Sequence, residues 1–160
     1  MENLLIPETF QTIVNCSVDA VVIIDEQGAI VFWNQSAETM FGYSEAETLG
    51  VYVHDILPAQ HLRKRADEAF LKFQKCGAAP AAGKILHVQG RRKSGEEFDV
   101  QFSLKTVRCQ GKLITYAFLR DISELIELQN KLQTIANTDS LTSILNRRAF
   151  LAEADKAFSY

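Results

Sequence analysis

Apolar and polar residues alternate along two parts of the chain, and the alternation predicts β-strands there. The first part is a hairpin with turn residues at Glu26-Gln27-Gly28, and the second holds three strands after Gly83. Phe98, Val100 and Phe102 illustrate the strict period of two in the second part. The predicted strands are residues 20–25, 29–34, 84–92, 98–107 and 113–120.

Before the first strand and between the two groups of strands, apolar residues recur at helical spacing. A short helix is predicted for 8–15, two glycine-broken helices for 35–41 and 44–49, and a longer amphipathic one for 60–75. Ser44 begins a Ser-x-x-Glu capping box, which is typical of a helix start. Five strands with helices inserted between them predict an α+β domain, in which one antiparallel sheet carries the helices on one face.

Residues 122–136 have a different pattern. Leu125, Leu128, Leu132 and Ile135 recur at a 3-4-3 spacing, and polar residues fill the other positions. This spacing is that of a coiled-coil seam, which predicts a homodimer. The stretch is shorter than three heptads, so a single amphipathic helix packed on its own domain is the alternative.

The composition narrows the class of protein. Of the 160 residues, 47% are hydrophobic and 23% are charged, and the formal net charge is −3. A general nucleic-acid binder usually has a basic footprint, so no nucleic-acid partner is expected. No apolar run approaches the ~20 residues of a membrane span, and the N-terminus lacks a signal-peptide pattern. We therefore expect a cytoplasmic protein without a membrane partner.

Six segments, taken together and in order, resemble the PAS family of sensor domains. They are residues 19–25, 28–38, 41–45, 55–58, 92–98 and 120–124. The resemblance covers about residues 8–121 and implies the PAS fold, with a ligand or cofactor pocket between the sheet and its helices. We therefore predict a PAS domain in residues 1–121, with its core at about 8–121.

The resemblance also implies how a signal leaves the domain. In PAS domains an Asp-Ile/Val-Thr/Ser triplet marks the exit from the last strand, and here Asp121-Ile122-Ser123 occupies that place. Residues 122–136 are then a signalling helix, and the expected homodimer forms through the PAS domain and this helix. The residues predicted to transmit the signal are Asp121, Ile122, Leu125, Leu128, Leu132 and Ile135.

Residues 137–160 contain a run from Asn137 to Phe150 that is similar to the opening signature of the GGDEF family of diguanylate cyclases. The catalytic turn of that family is absent, so we expect no activity and no catalytic residue in this chain. The resemblance implies a sensory and dimerisation module that regulates a cyclic-di-GMP-forming domain. Two alternatives are a ligand-free structural dimeriser and the N-terminal part of a full-length, active diguanylate cyclase.

Haem and FAD are the two cofactors that the PAS resemblance suggests. Haem-binding relatives carry their ligand histidine where this chain has Arg65, so His61, one turn earlier, and then His87 are the candidate ligands. His61 is also the only metal ligand predicted, and only if haem is bound. Trp33 and Asn34 are the candidate contacts to a flavin. His54 is expected to be exposed to solvent.

Overall fold

The computed structural model describes residues 7–76, 83–109 and 111–137. Five antiparallel strands form one sheet in the order β2-β1-β5-β4-β3. The strands are β1 Ala20–Ile24, β2 Ile30–Trp33, β3 Ile85–Arg91, β4 Glu97–Cys109 and β5 Lys112–Asp121. The predicted α+β class and the five-stranded antiparallel sheet are therefore confirmed.

The predicted helices are present, with differences of a few residues at their ends, and Val53–Ile56 is an additional short helix that was not predicted. The helices are α1 Pro7–Asn15, α2 Gln35–Phe41, α3 Glu45–Thr48, α4 Val53–Ile56, α5 Arg63–Cys76 and α6 Ser123–Asn137. The stretch predicted as one helix over 60–75 begins with a separate 3₁₀ turn, Gln60–Leu62. Strand β4 is longer than predicted because its pairing with β5 continues to Cys109 opposite Lys112.

Aromatic side chains form the centre of the core. Trp33, Phe41 and Phe98 are each at most 5% exposed, and successive ring centroids lie 5.5 Å apart. Smaller apolar residues fill the space around them, and they include Ala20, Val22, Ile30, Ala37, Val53, Ile56, Val100 and Leu119. This core fixes the sheet against α2 and α4, which leaves α5 as the helix that borders the site described below.

The chain divides into two compact units, with the boundary between Ile122 and Ser123. The first unit contains the sheet and α1 to α5, and the second contains α6. No helix among the described residues is long and apolar enough to span a membrane.

Candidate functional site

A cavity of about 540 Å³ lies between α5 and the sheet. This volume falls within the range of about 300–1,000 Å³ that is typical of small-molecule sites. Helix α5 contributes Phe70 and Phe73, which are 9% and 7% exposed. The central strands contribute the opposite wall, namely Val22, Ile24, Val100, Phe102, Leu104, Ala117 and Leu119. The site is therefore mainly apolar.

The sequence of α5 explains the open space. Ala66 and Ala69 line the cavity, and both side chains end at Cβ. Small residues facing the sheet leave a volume that larger residues at the same positions would fill. Gly90 on β3 acts differently, because a Cβ at this position would lie 2.8 Å from Val100 Cγ2, so glycine allows close packing there.

Six polar residues among those described line the cavity, namely His54, Arg65, Lys84, His87, Gln89 and Thr115. Thr115 is buried, and its hydroxyl lies 3.0 Å from Thr106 Oγ1, so its polar atom has a partner within the sheet. Arg65 on α5 and Lys84, just before β3, are exposed and line the cavity. His54 lines the cavity from α4.

His54 is part of a network that ties α4 to α5. Its Nδ1 lies 2.9 Å from Asp67 Oδ1, and the Tyr52 hydroxyl donates to the same oxygen at 3.1 Å. Because a carboxylate only accepts hydrogen bonds, Nδ1 carries the proton and donates it to Asp67. Burial and the Asp67 hydrogen bond raise the pKa of Tyr52 to about 12. The phenol therefore stays protonated and keeps donating at neutral pH.

The His54 ring is only 18% exposed, which corrects the sequence-based expectation that His54 is exposed to solvent. Its centroid lies 5.8 Å from that of Phe70, and the Tyr52 ring lies 5.9 Å from the same phenylalanine. Gly28 lies beneath these rings, where a Cβ would approach Tyr52 Cε2 to 2.6 Å. Packing of aromatic rings over a glycine therefore draws α4 and α5 together at one end of the cavity.

The two histidines predicted as haem ligands do not direct their rings into this cavity. His61 is not among the lining residues, and its half-exposed ring lies 3.8 Å from Glu97 Oε2. His87 borders the cavity, but its Nε2 lies 3.0 Å from Gln101 Nε2, opposite it on β4. Since alternate residues point to opposite faces of a sheet, the His87 ring lies on the face away from Leu86 and Val88.

The two residues predicted as flavin contacts are in the core of the domain. Asn34 is fully buried, and its Oδ1 accepts from the Val21 and Ala37 amides at 2.8 and 2.9 Å. Its Nδ2 donates to backbone carbonyls of Val14 and Asp19. Asn34 therefore caps α2 and joins it to β1 and α1.

The neighbouring Trp33 also has a structural environment. Its ring is 2% exposed, and its Nε1 donates to the Tyr43 carbonyl at 3.1 Å. Neither Trp33 nor Asn34 is among the cavity-lining residues. Of the four residues predicted to bind a cofactor, only His87 is among the cavity-lining residues, and the structure does not bring the four together.

The exit from β5 is held by Arg92. Its Nη2 lies 2.5 Å from Asp121 Oδ2, and its guanidinium carbon lies 3.7 Å above the centroid of the Phe98 ring. It also donates to the Met40 carbonyl at the end of α2. The Ile122 amide donates to the Asp99 carbonyl at 3.0 Å, so the end of β5 is fixed to β4 and to the core.

Helix α6 exposes the four apolar residues of the predicted seam. Leu125, Leu128, Leu132 and Ile135 are 54–71% exposed. A Lys131–Glu127 ion pair lies on the polar surface of this helix. Residues 138–160, which include nearly all of the GGDEF-like run, lie outside the described residues.

The described ranges contain no group of three or more histidine, cysteine, aspartate or glutamate residues that could hold a metal ion. Sequence reasoning did not identify the inward position of His54 or its link to Asp67. The separation of thirteen residues offers no periodic signal, and only the packing of α4 against α5 brings the two together.

Comparisons with known proteins agree with the fold. A family model described as a PAS domain matches residues 18–124. The chain is 27% identical to the sensor protein FixL of Bradyrhizobium diazoefficiens, covering 90% of this chain and 28% of that protein. It is 28% identical to the probable diguanylate cyclase DgcE of Escherichia coli, covering 82% of this chain and 12% of DgcE. The chain thus spans less than a third of the length of these relatives.

Solved structures show the same architecture. The crystal structure of a PAS domain from Colwellia psychrerythraea superposes with a TM-score of 0.62 at 18% identity, and the match covers 74% of this chain and 98% of that domain. Such a likeness shows the fold, and the family model that matches most of the chain shows the family. This chain belongs to the PAS domain family.

Proposed function

We propose that this chain is a sensory and dimerisation module that binds a small apolar molecule and regulates a diguanylate cyclase domain. The open cavity of about 540 Å³ between α5 and the sheet is the observation that carries the proposal. A cavity of this size with apolar walls is the default place for a small ligand. A structural dimeriser with a collapsed pocket would not need it.

A short path leads from the cavity to the exit of the domain. Val100 and Leu119 line the cavity, and Val100 is paired with Asp121 in the β4–β5 register. The neighbouring Asp99 carbonyl accepts from the Ile122 amide. A ligand that prefers one arrangement of β4 and β5 therefore changes the environment of Asp121 and Ile122, by at most its difference in affinity for the two arrangements.

The proposed receiver of that change is a dimer of α6 helices. The exposed 3-4-3 stripe from Leu125 to Ile135 supports pairing with a second copy, because a coiled coil buries such a stripe. Diguanylate cyclases join two GTP molecules between two subunits, so the geometry of a dimer is a suitable quantity to regulate. The similarity to DgcE and the GGDEF-like run that begins at Asn137 support this output.

We place the module in the cytoplasm because the proposed output domain uses GTP.

Haem and FAD are untested predictions from the resemblance, and the placement of the residues predicted to hold them argues against both groups at the cavity. His61 and His87 direct their rings elsewhere, and Trp33 and Asn34 are buried in the core. An absorption spectrum before and after addition of haemin tests this directly. We expect a colourless protein that leaves the haemin spectrum unchanged.

A neutral apolar dye tests the cavity. Nile red fluorescence should rise on binding to the full chain, and the Ala66→Trp variant, which fills the cavity, should lose most of this signal. Leu71→Trp is the matched control, because Leu71 is on the same helix, is 54% exposed and does not line the cavity. Equal binding by all three proteins, or none by the wild type, would contradict the ligand site. Ala69→Phe replaces Ala66→Trp if the latter does not fold.

The proposed link to a diguanylate cyclase domain can be tested independently from the gene sequence. The reading frame beyond codon 160 should encode a Gly-Gly-Asp/Glu-Glu-Phe turn within roughly one further domain's length. A stop codon directly after Tyr160 would contradict the regulation of a covalently linked cyclase. It would leave ligand binding and dimerisation to be judged by their own experiments.

A further inference from the structure

The charges on the cavity wall are all of one sign. Arg65 and Lys84 line the cavity, and its lining contains no aspartate or glutamate within the described part of the chain. The chain as a whole carries a net charge of −3, so a wall without acidic residues is not a consequence of composition. An uncompensated positive charge beside an apolar volume favours an anionic group on the ligand.

Arg65 and Lys84 also have no ion-pair partner among the described residues. Arg63, only two positions before Arg65, is paired with Asp55 across to α4. The same helix therefore directs one arginine to an acidic partner and leaves another at the cavity without one. Guanidinium groups bind carboxylates through paired, charge-assisted hydrogen bonds, and a lysine adds a point charge.

The rest of the wall fits an apolar body. Phe70 and Phe73 of α5 face Leu86 of β3 and the central strands across the cavity. The two cations are exposed, whereas both phenylalanines are buried. A ligand with an apolar chain and a charged head would place the chain among the buried residues and leave the head near solvent.

We propose that the cavity binds an amphipathic organic acid, with its apolar chain between α5 and the sheet and its carboxylate at one of the two cations of the wall, Arg65 or Lys84. This inference rests on the proposed function, since it names the class of ligand for the same cavity. The carboxylate adds selectivity to an affinity that comes mainly from burial of the apolar chain.

Three probes with the same alkyl chain separate the contribution of the head group. Dodecanoate, dodecanol and dodecyltrimethylammonium are each titrated against Nile red bound to the full chain, the two ions below their micelle concentrations and dodecanol below its solubility. Dodecanoate should displace the dye at about a tenfold lower concentration than dodecanol, and the cation should be the weakest.

Variants at the exposed cations identify the head-group site. The double variant Arg65→Gln, Lys84→Gln should bind dodecanoate about tenfold more weakly and should bind dodecanol with unchanged affinity. The matched control is Lys72→Gln, which is exposed on α5 and does not line the cavity. Thermal melts of each variant confirm that it is folded.

Each remaining outcome bears on a different claim. If dodecanol displaces the dye at the same concentration as dodecanoate, or if the double variant binds dodecanoate unchanged, the proposal of an acidic ligand is wrong. The proposal of an apolar ligand site is then unaffected. If Nile red binds and none of the three probes displaces it, the proposed ligand class is also wrong. If Nile red itself does not bind, the proposed function fails together with this inference.

Discussion

At the scale of single residues, Asn34 fixes the local structure of several segments through its side-chain amide. One fully buried amide group satisfies two backbone N–H donors and two carbonyls, from three separate segments of the chain. Removing it leaves buried polar groups without partners, and each of these costs about 1–3 kcal/mol. The side chain is therefore a structural centre of the N-terminal half of the domain.

Replacing Asn34 by alanine should accordingly destabilise the protein by about 2–4 kcal/mol, because a helix cap and several buried hydrogen bonds are lost together. Urea denaturation of the two proteins measures the difference in the free energy of unfolding. Thr39→Ala on the same helix removes only an exposed hydrogen bond to the Gln35 carbonyl and should cost much less. Similar values for the two variants would contradict the assigned role of Asn34.

Tyr52 gives the protein a pH-dependent component of stability. Burial and the Asp67 hydrogen bond raise its folded-state pKa to about 12, above an unfolded value of about 10. The stabilising contribution is therefore complete below about pH 10 and is lost as the pH rises toward 12.

The expected result is a steeper fall in the free energy of unfolding above about pH 10 for the wild type than for Tyr52→Phe. Urea denaturation of both proteins at a series of alkaline pH values measures the two free energies of unfolding. Their difference is free of the effect of lysine deprotonation, because both proteins share it. Parallel curves would show that folding does not raise the pKa of Tyr52.

At the scale of helices and strands, Arg92 connects the turn before β4 to the end of β5. It contacts Phe98 in the core, the Asp121 carboxylate and the carbonyl of Met40. Its side chain is 24% exposed, so its charge is partly protected from solvent. These contacts make it the main anchor of the exit described above.

Arg92→Gln should therefore destabilise the domain by about 1–3 kcal/mol, through loss of the ion pair and of the cation–π contact. The Ile122 amide should exchange with solvent faster than in the wild type, as measured by hydrogen exchange. Arg120→Gln is the control, since Arg120 forms an ion pair with Asp19 but is 61% exposed. An unchanged exchange rate at Ile122 in Arg92→Gln would contradict the anchor.

How much of this could be predicted from the sequence depends on whether the signal is periodic. The alternation of Phe98, Val100 and Phe102 identified β4 correctly, because one face of that strand packs on the core and cavity side. The inward position of His54 was missed, since short helices of four residues carry too little periodicity to show which side is buried. Asn34 carried a usable signal, because asparagine directly before a helix is a preferred N-cap.

The resemblance predicted a pocket between the sheet and its helices, but the size and lining of the cavity could not be predicted, since they depend on the distance between α5 and the sheet. Ala66 and Ala69 show only that the inner side of this helix is small. The absence of an ion-pair partner for Arg65 among the described residues is likewise a property of the fold, because Asp55 pairs with Arg63 across α4 and α5. Sequence spacing alone does not determine which arginine receives that partner.

At the scale of the whole molecule, the exposed stripe on α6 predicts a dimer. Leu128→Lys should convert the dimer to a monomer, because it places a charge at the centre of the proposed apolar seam. Sedimentation equilibrium of the full chain gives the oligomeric state. Gln129→Lys adds the same charge at an exposed position beside the stripe and should remain dimeric. A monomeric wild type, or a Leu128→Lys variant that stays dimeric, would contradict the α6 interface.

The central claim is that occupation of the cavity reaches the start of α6, and hydrogen exchange at the Ile122 amide tests it most directly. Saturation with Nile red should change this exchange rate by about fivefold or more, since coupling free energies between sites are typically about 1–3 kcal/mol. The Leu49 amide, which donates to the Glu45 carbonyl in α3, should keep its rate. The Ala66→Trp variant should show no dye-dependent change. If the dye binds the wild type and the Ile122 rate stays the same, the cavity is a binding site that does not signal through β5.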